Sequence, residues 1–131
     1  MHLRIKLEKM NNKEFGNQLE KRTKLFTISV FKLVSMLPES PEAKVVRYQL
    51  AKASSSVGAN YREANRGRSK ADFKNKISIC ETEASESGYW MEIISDMKWI
   101  SDEILFPVLN EANELLAIFT AAGKKLNDQV K

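Results

Sequence analysis

Hydrophobic residues recur at alternating steps of three and four along most of the chain, which is the spacing of amphipathic helices. The first such stretch predicts a helix over Asn17–Leu37, with a buried side made of Leu19, Phe26, Val30, Val34 and Leu37. Residues 1–16 lack this period, and we expect them to form an N-terminal arm or a short extra helix. The bundle domain is therefore predicted to span residues 17–131.

The second helix is predicted over Pro41–Arg66, because Ser40 suits the N-cap position and Pro41 the first helical position. Its apolar side consists of Val46, Leu50, Ala53, Val57, Asn60 and Ala64. Asn60 is the polar exception, and a buried amide at such a position can fix register or oligomeric state. Glu63, Glu83 or a backbone group could be its partner. The alternative is a slightly rotated helix with Asn60 at its rim.

Gly67 and Ser69 suit the end of the second helix and the start of a third, predicted over Lys70–Lys98. One apolar seam consists of Phe73, Ile77, Cys80, Ala84, Ser87, Met91 and Ile94. A second, adjacent seam consists of Ile79, Glu83, Glu86, Trp90, Ile93 and Met97. A helix covered over so wide an arc is expected to touch more than one neighbour, including one in another subunit.

The fourth helix begins either just after Ser101 or, since Pro107 fits poorly inside a helix, near Phe106. Its seam consists of Val108, Ala112, Leu115, Phe119, Ala122 and Leu126. Four amphipathic helices with short connections favour antiparallel neighbours. The expected fold is an all-α, up-down-up-down four-helix bundle.

Composition places this chain among globular proteins of one domain, with 131 residues and 29% charged residues. The N-terminal stretch has no apolar core of signal-peptide length, and charges interrupt the apolar runs before they reach membrane-spanning length. A single cysteine, Cys80, agrees with a reducing compartment. We therefore expect a cytoplasmic protein that makes no membrane contact.

The net charge of +4 conceals an uneven distribution. Residues 1–76 carry 17 Lys and Arg against 7 Asp and Glu, whereas residues 77–131 carry 4 against 10. Such a split favours either a polyanionic partner or attraction between neighbouring subunits.

The strongest candidate for function is the basic turn between the second and third helices. It contains six cations in fifteen residues: Arg62, Arg66, Arg68, Lys70, Lys74 and Lys76. Because the two helices meet at Gly67, these cations are expected to converge at one end of the bundle. Guanidinium and ammonium groups beside the free amides of a helix start suit phosphate, and Tyr61 could add a stacking face. A solvated basic loop with no ligand is the other interpretation.

Other chemistry has weaker support. Glu83 and Glu86 lie one turn apart, and Glu63 could approach them, but bundle di-metal sites also use histidines. The one histidine, His2, lies in the arm. Cys80 occupies a core seam with no histidine to activate it, which favours a structural thiol. We therefore predict no catalytic residue, cofactor or metal, and expect Asn60, Glu63, Glu83, Glu86 and Trp90 to serve packing and assembly.

The stretch VGANYREANRGRSKADFKNKISICETEASESGYWMEII resembles the signature of the 23S ribosomal RNA intervening-sequence protein family. The pattern joins a small-residue run, Asn-x-x-Glu, a basic turn, Asp-Phe, and Glu-x-x-Glu followed by Tyr-Trp. It falls here on Asn60, Glu63, Asp72, Phe73, Glu83, Glu86, Tyr89 and Trp90. The likeness covers about residues 15–127.

The resemblance implies a ring-shaped homopentamer of four-helix protomers around a central channel, with no enzymatic activity. It also implies similarity to accessory proteins of diversity-generating retroelements, which bind nucleic acid and a reverse transcriptase. The family name records where the genes lie and does not establish a ribosomal role.

Two functions follow as hypotheses. The first is a non-enzymatic, oligomeric, nucleic-acid-binding protein, with RNA preferred over DNA, in which the basic turns form a rim. The second is a protein-interaction scaffold with no nucleic-acid role, in which the charge split drives assembly and partner docking.

Overall fold

Four long helices make up the described part of the chain. The computed structural model describes residues 12–67 and 69–130. Helix α1 spans Asn12–Val34, α2 spans Pro41–Asn65, α3 spans Lys70–Met97 and α4 spans Asp102–Val130. Consecutive helices pack side by side, and α4 returns to lie against α1. The predicted all-α, up-down-up-down four-helix bundle is confirmed.

The core runs along the bundle axis and is built from the predicted seams. The seam residues that are buried are Leu19, Phe26, Val30, Val34, Leu37, Val46, Leu50, Ala53, Val57, Ala64, Ile77, Cys80, Ala84, Ser87, Met91, Ile94, Ala112, Leu115 and Phe119. Seam residues nearer the helix ends, such as Phe73 and Leu126, are half-buried against this core. The helical period therefore predicted the core of the protomer well, except along the second seam of α3, which is half-buried and ends at the exposed Met97.

Helix α1 begins five residues earlier than its apolar pattern predicted. Phe15 lies four residues before Leu19 and packs against the core, so the seam extends into the predicted arm. Gly16 lies close to the end of α2, because a Cβ atom added to it would be 3.5 Å from Nδ2 of Asn65. Residues 12–16 are thus helical, while the rest of the predicted arm lies outside the described residues.

The start of α4 agrees with the first of the two predicted alternatives. The backbone carbonyl of Ser101 accepts hydrogen bonds from the amides of Ile104 and Leu105, at 3.1 and 3.0 Å. Pro107 lies inside the helix and cannot donate to the carbonyl of Glu103. Both Pro107 and Glu103 are exposed, so water can satisfy the freed carbonyl. A start near Phe106 is therefore wrong.

Helix α4 is also more apolar than the sequence analysis expected. By length and composition its Asp102–Asp128 stretch could cross a membrane, with a mean hydropathy of 1.3 in its most apolar part. The core helix of a soluble bundle meets the same criterion, and Leu105, Leu115 and Phe119 are fully buried in the bundle. One side of α4 therefore belongs to the core of the bundle, while only 22% of its most apolar part is buried in the protomer.

Candidate nucleic-acid interface

The basic turn lies at the end of the bundle where α1 begins, α2 ends, α3 begins and α4 ends. Asn65 in the last turn of α2 donates a 2.8 Å hydrogen bond to Glu20 of α1. Thr120 of α4 donates a 2.6 Å hydrogen bond to Glu81 of α3. These links bring all four helices to one end, as the up-down topology requires.

Local backbone geometry fixes how the turn is made. The amide of Arg66 bonds to the carbonyl of Glu63, and the amide of Gly67 bonds to that of Ala64, each at 3.1 Å. A Cβ on Gly67 would approach the Ala64 carbonyl to 3.0 Å, so a larger residue would force this tight turn to shift. The hydroxyl of Ser69 then accepts from the amide of Asp72 at 3.1 Å, and this N-cap starts α3 as predicted.

The six predicted phosphate-binding cations differ in their surroundings. Nε of Arg62 lies 3.6 Å from Glu20, and Nζ of Lys76 lies 3.5 Å from Glu63. Arg66 and Lys70 are exposed and Lys74 is half-buried, and no salt bridge within the described residues engages these three. Arg68 lies outside the described residues.

Tyr61 does not supply the predicted stacking face. Its side chain is buried, and its ring packs against Phe119 with centroids 5.7 Å apart. Burial raises the pKa of its hydroxyl. The residue therefore belongs to the core beneath the turn, and the proposal that a base stacks on it is wrong.

Asn60 is not buried in the core seam, because α2 is rotated so that Tyr61 takes that place. Asn60 is half-buried, and its Nδ2 donates to the carbonyl of Ser56, one turn earlier, at 2.8 Å. The prediction of a fully buried Asn60 is wrong for the protomer, and of the three predicted partners the backbone group is the one observed. The rim position is the one observed, and a role for Asn60 in assembly stays a prediction.

The candidate carboxylates do not form a ligand cluster. Glu63 is exposed and faces Lys76, whereas Glu83 and Glu86 are half-buried on α3. No group of three or more His, Cys, Asp or Glu within the described residues is arranged to hold a metal ion. Trp90 is half-buried overall, but its Nε1 atom is buried. This donor has no hydrogen-bond acceptor among the described residues.

Cys80 lies in the core, as its seam position predicted. The residue is fully buried, and Sγ lies 3.4 Å from the carbonyl of Val57, to which the thiol donates. Burial raises its pKa from 9.0 to about 12. The thiol therefore stays protonated at neutral pH and is a poor nucleophile.

Cys80 is expected to react with a disulfide reagent such as Ellman's reagent at pH 8 only when the bundle opens. The native rate should be at least tenfold below that of the same protein in guanidinium chloride, because the thiol is buried and protonated. Since its folded-state pKa is raised, the thiol also contributes stability below about pH 9 that is lost as the pH rises towards 12. Equal native and denatured rates would contradict this interpretation.

A charged cluster that the sequence analysis missed holds α1 against α4. Nε and Nη2 of Arg22 donate to the two oxygens of Glu111 at 2.6 and 2.7 Å, and Nη2 also lies 3.0 Å from Glu114. The bond to Glu111 is the main reason that the pKa of Arg22 is raised. Arg22 lies three residues after Leu19 and therefore beside the apolar seam of α1. This position next to the core was the one sequence feature that could have indicated a partly buried ion pair.

The fold and the basic end define a four-helix bundle protein with a cationic turn. A sequence model of the 23S rRNA-intervening sequence protein family matches residues 16–121, and the chain belongs to this family. The structure is similar to that of a protein of unknown function from the S23 ribosomal protein family of Bacteroides thetaiotaomicron VPI-5482. That comparison has a TM-score of 0.74 and 28% sequence identity, and it covers 80% of this chain and 97% of the other. No curated protein matches the chain.

Proposed function

We propose that this protein is a non-enzymatic, self-associating, cytoplasmic protein that binds nucleic acid, with RNA preferred over DNA, through the basic turn. The observation that carries the proposal is that Arg66, Lys70 and Lys74 meet at one bundle end without a salt bridge to any described residue. Cations left without carboxylate partners are free to take phosphate. The proposal needs no catalytic residue, cofactor or metal.

The surroundings of these cations also suit a phosphate backbone. The first turn of α3 lies at the positive end of the helix dipole, and its Lys70 and Ala71 amides precede the two amides that bond to Ser69. The pairs Arg62–Glu20 and Lys76–Glu63 join partly exposed groups at 3.5 to 3.6 Å, so each is weak. A phosphate can therefore compete for both cations, and the interface can extend beyond the three unpaired ones.

Repetition of this small surface would provide the affinity that one copy lacks. Family resemblance supports a homopentamer, in which five basic turns would form one rim. Several weak contacts made by one assembly raise avidity without any new kind of contact. Resemblance to retroelement accessory proteins also supports a nucleic-acid enzyme, such as a reverse transcriptase, as a protein partner.

Reversing two charges of the turn tests the proposal. The variant Arg66→Glu/Lys70→Glu is expected to bind a 20-nucleotide single-stranded RNA at least tenfold more weakly than the wild type at low salt, measured by fluorescence anisotropy. The slope of log affinity against log salt should also become shallower by about 0.7 for each phosphate that the variant no longer neutralises.

Lys32→Glu/Lys44→Glu is the matched control, because it makes the same change in net charge at the opposite end of the bundle. Light scattering must show that both variants have the same mass in solution, so that a difference in assembly does not enter the comparison. Both residues are exposed and lack a salt bridge within the described residues. Equal affinities of the two variants would show that the turn does not bind RNA. A paired DNA oligonucleotide of the same sequence measures the preference for RNA.

A protein-interaction scaffold is the second candidate, and one observation favours it. Among the described residues, ten large hydrophobic side chains are exposed, and all lie within residues 25–48 and 89–106, away from the basic turn. Contiguous exposed apolar surface is typical of protein interfaces, and Leu25, Ile28 and Phe31 follow one another at single-turn spacing on α1. Wild-type protein that binds no RNA at low salt, and whose absorbance ratio is unchanged by nuclease, would favour this function.

A further inference from the structure

The middle stretches of the two helical hairpins carry opposite charge. Between Lys21 and Lys32 of α1, and between Lys44 and Arg62 of α2, every charged residue is a cation: Lys21, Arg22, Lys24, Lys32, Lys44, Arg47, Lys52 and Arg62. Between Glu81 and Asp96 of α3, and between Asp102 and Glu114 of α4, every charged residue is a carboxylate: Glu81, Glu83, Glu86, Glu92, Asp96, Asp102, Glu103, Glu111 and Glu114. These stretches of the α1–α2 hairpin are hereafter the basic side, and those of the α3–α4 hairpin are the acidic side. Outside them each hairpin carries both signs, such as Glu20 on the first and Lys125 on the second.

The protomer leaves much of this charge without a partner. Arg22 bridges to Glu111 and Glu114 where the two sides meet. By contrast, Lys24 and Lys52 on the basic side are exposed and make no salt bridge to a described residue. Three carboxylates on the acidic side also make no salt bridge to a described residue: Glu92, which is exposed, and Glu83 and Glu86, which are half-buried. Because consecutive helices pack around the bundle, the two sides face in opposite directions.

Each side also exposes large apolar side chains between its charges. Ile28 lies one turn after Lys24 and is 41% exposed, and Tyr48 lies one turn before Lys52 and is 64% exposed. On the acidic side, Tyr89 is 57% exposed. Aromatic residues surrounded by polar groups are the usual energetic centres of protein interfaces.

The acidic side is concave as well as charged. A shallow groove of about 510 Å³ is lined by Glu81, Thr82, Ser85, Glu86, Tyr89 and Leu116. Its lining combines two carboxylates with a tyrosine and an aliphatic side chain. Such a groove suits a convex surface that presents cations and apolar side chains together.

We propose that the basic side of one copy docks on the acidic side of a second copy, so that subunits associate head to tail through two different surfaces. The inference rests on the self-association in the proposed function and identifies the faces that meet. Each protomer carries both surfaces on opposite sides, so every copy can bind two neighbours. Contacts between two different surfaces add one subunit after another, and they close into a ring when the rotation between neighbouring subunits allows it.

Charge complementarity favours this head-to-tail contact over a two-fold dimer in which identical surfaces meet. Two basic sides facing each other, or two acidic sides, would bring like charges together, which costs free energy. Nucleic acid on the basic side is the competing occupant, but it would leave the acidic groove and Tyr89 uncovered. Only a basic, apolar surface satisfies the acidic side, and the chain itself provides one.

Charge reversal on one side, then on both, tests the assignment. Lys24→Glu/Lys52→Glu and Glu86→Lys/Glu92→Lys are each expected to lower the mass in solution towards the 14.9 kDa protomer, measured by light scattering after size exclusion. The quadruple variant carries both reversals and should regain the wild-type mass, because its surfaces are complementary again. Circular dichroism should show folded helix in all variants.

Lys124→Glu/Lys125→Glu is the matched control, since it makes the same change in net charge near the end of α4, and its mass should equal that of the wild type. Wild-type assembly that persists in both single-side variants would overturn the assigned faces while leaving self-association intact. Dissociation that the quadruple variant does not reverse would also overturn the pairing. A monomeric wild type would overturn self-association itself, and RNA binding by that monomer would still be measurable.

Discussion

Replacing Phe119 with alanine is expected to lower the free energy of unfolding by about 4 kcal/mol, the typical cost of removing a buried aromatic side chain. Phe119 is fully buried on α4, and its ring contacts that of Tyr61 on α2 across the bundle. Truncation would leave a cavity under the last turn of α2, which leads into the basic turn. Urea unfolding followed by circular dichroism would measure the change in free energy.

Phe106→Ala is the matched control for this prediction. Phe106 belongs to the same helix and has the same side chain, but it is 44% exposed. Its truncation removes much less buried surface and should cost under about 1 kcal/mol. Similar losses for the two variants would mean that Phe119 does not pack as described.

Replacing Arg22 with methionine is expected to lower the free energy of unfolding by about 2 kcal/mol. The guanidinium makes a bidentate contact with Glu111 and a further contact with Glu114, and charged hydrogen bonds of this kind are stronger than neutral ones. Removing Arg22 would leave Glu111 partly buried without its cation, which is the main cost. The arginine retains 20% of its side-chain exposure, so solvent reduces the effect below that of a fully buried pair.

A double-mutant cycle isolates this contact. Arg22→Met and Glu111→Gln together should destabilise the protein by less than the sum of the single changes, with a coupling of about 1 kcal/mol or more. Lys125→Met on α4 is the control because its side chain is exposed and lacks a salt bridge to a described residue. Strict additivity of the two changes would contradict a stabilising role for the cluster.

The fold could be predicted from the sequence because helical periodicity reports burial directly. Ser40 and Pro41 marked the start of α2, and Ser69 marked the start of α3, each through local chemistry that needs no tertiary information. The pattern also located Cys80 in the core. These features depend only on residues a few positions apart.

Errors arose where tertiary packing decided between neighbouring positions. The alternating spacing of three and four predicted Asn60 as the buried residue after Val57. In the structure the buried residue is Tyr61, whose larger ring packs against Phe119. Pro107 is unfavourable inside an isolated helix, yet the buried side chains that follow it hold α4 together. The partners of Arg22 are 89 and 92 residues away, and periodicity contains no information on such pairs.

Alternating helix direction leaves each end of the bundle with two amino ends and two carboxyl ends. The helix dipoles therefore largely cancel, and the long-range field comes from side chains alone. Because cations outnumber carboxylates on the α1–α2 hairpin and carboxylates outnumber cations on the α3–α4 hairpin, the protomer has a permanent moment that points across the helices. A charged molecule approaching in dilute salt would feel a torque that turns the broad side of the bundle towards it. Physiological salt, with a screening length of about 8 Å, would confine that orienting effect to the last few ångströms of approach.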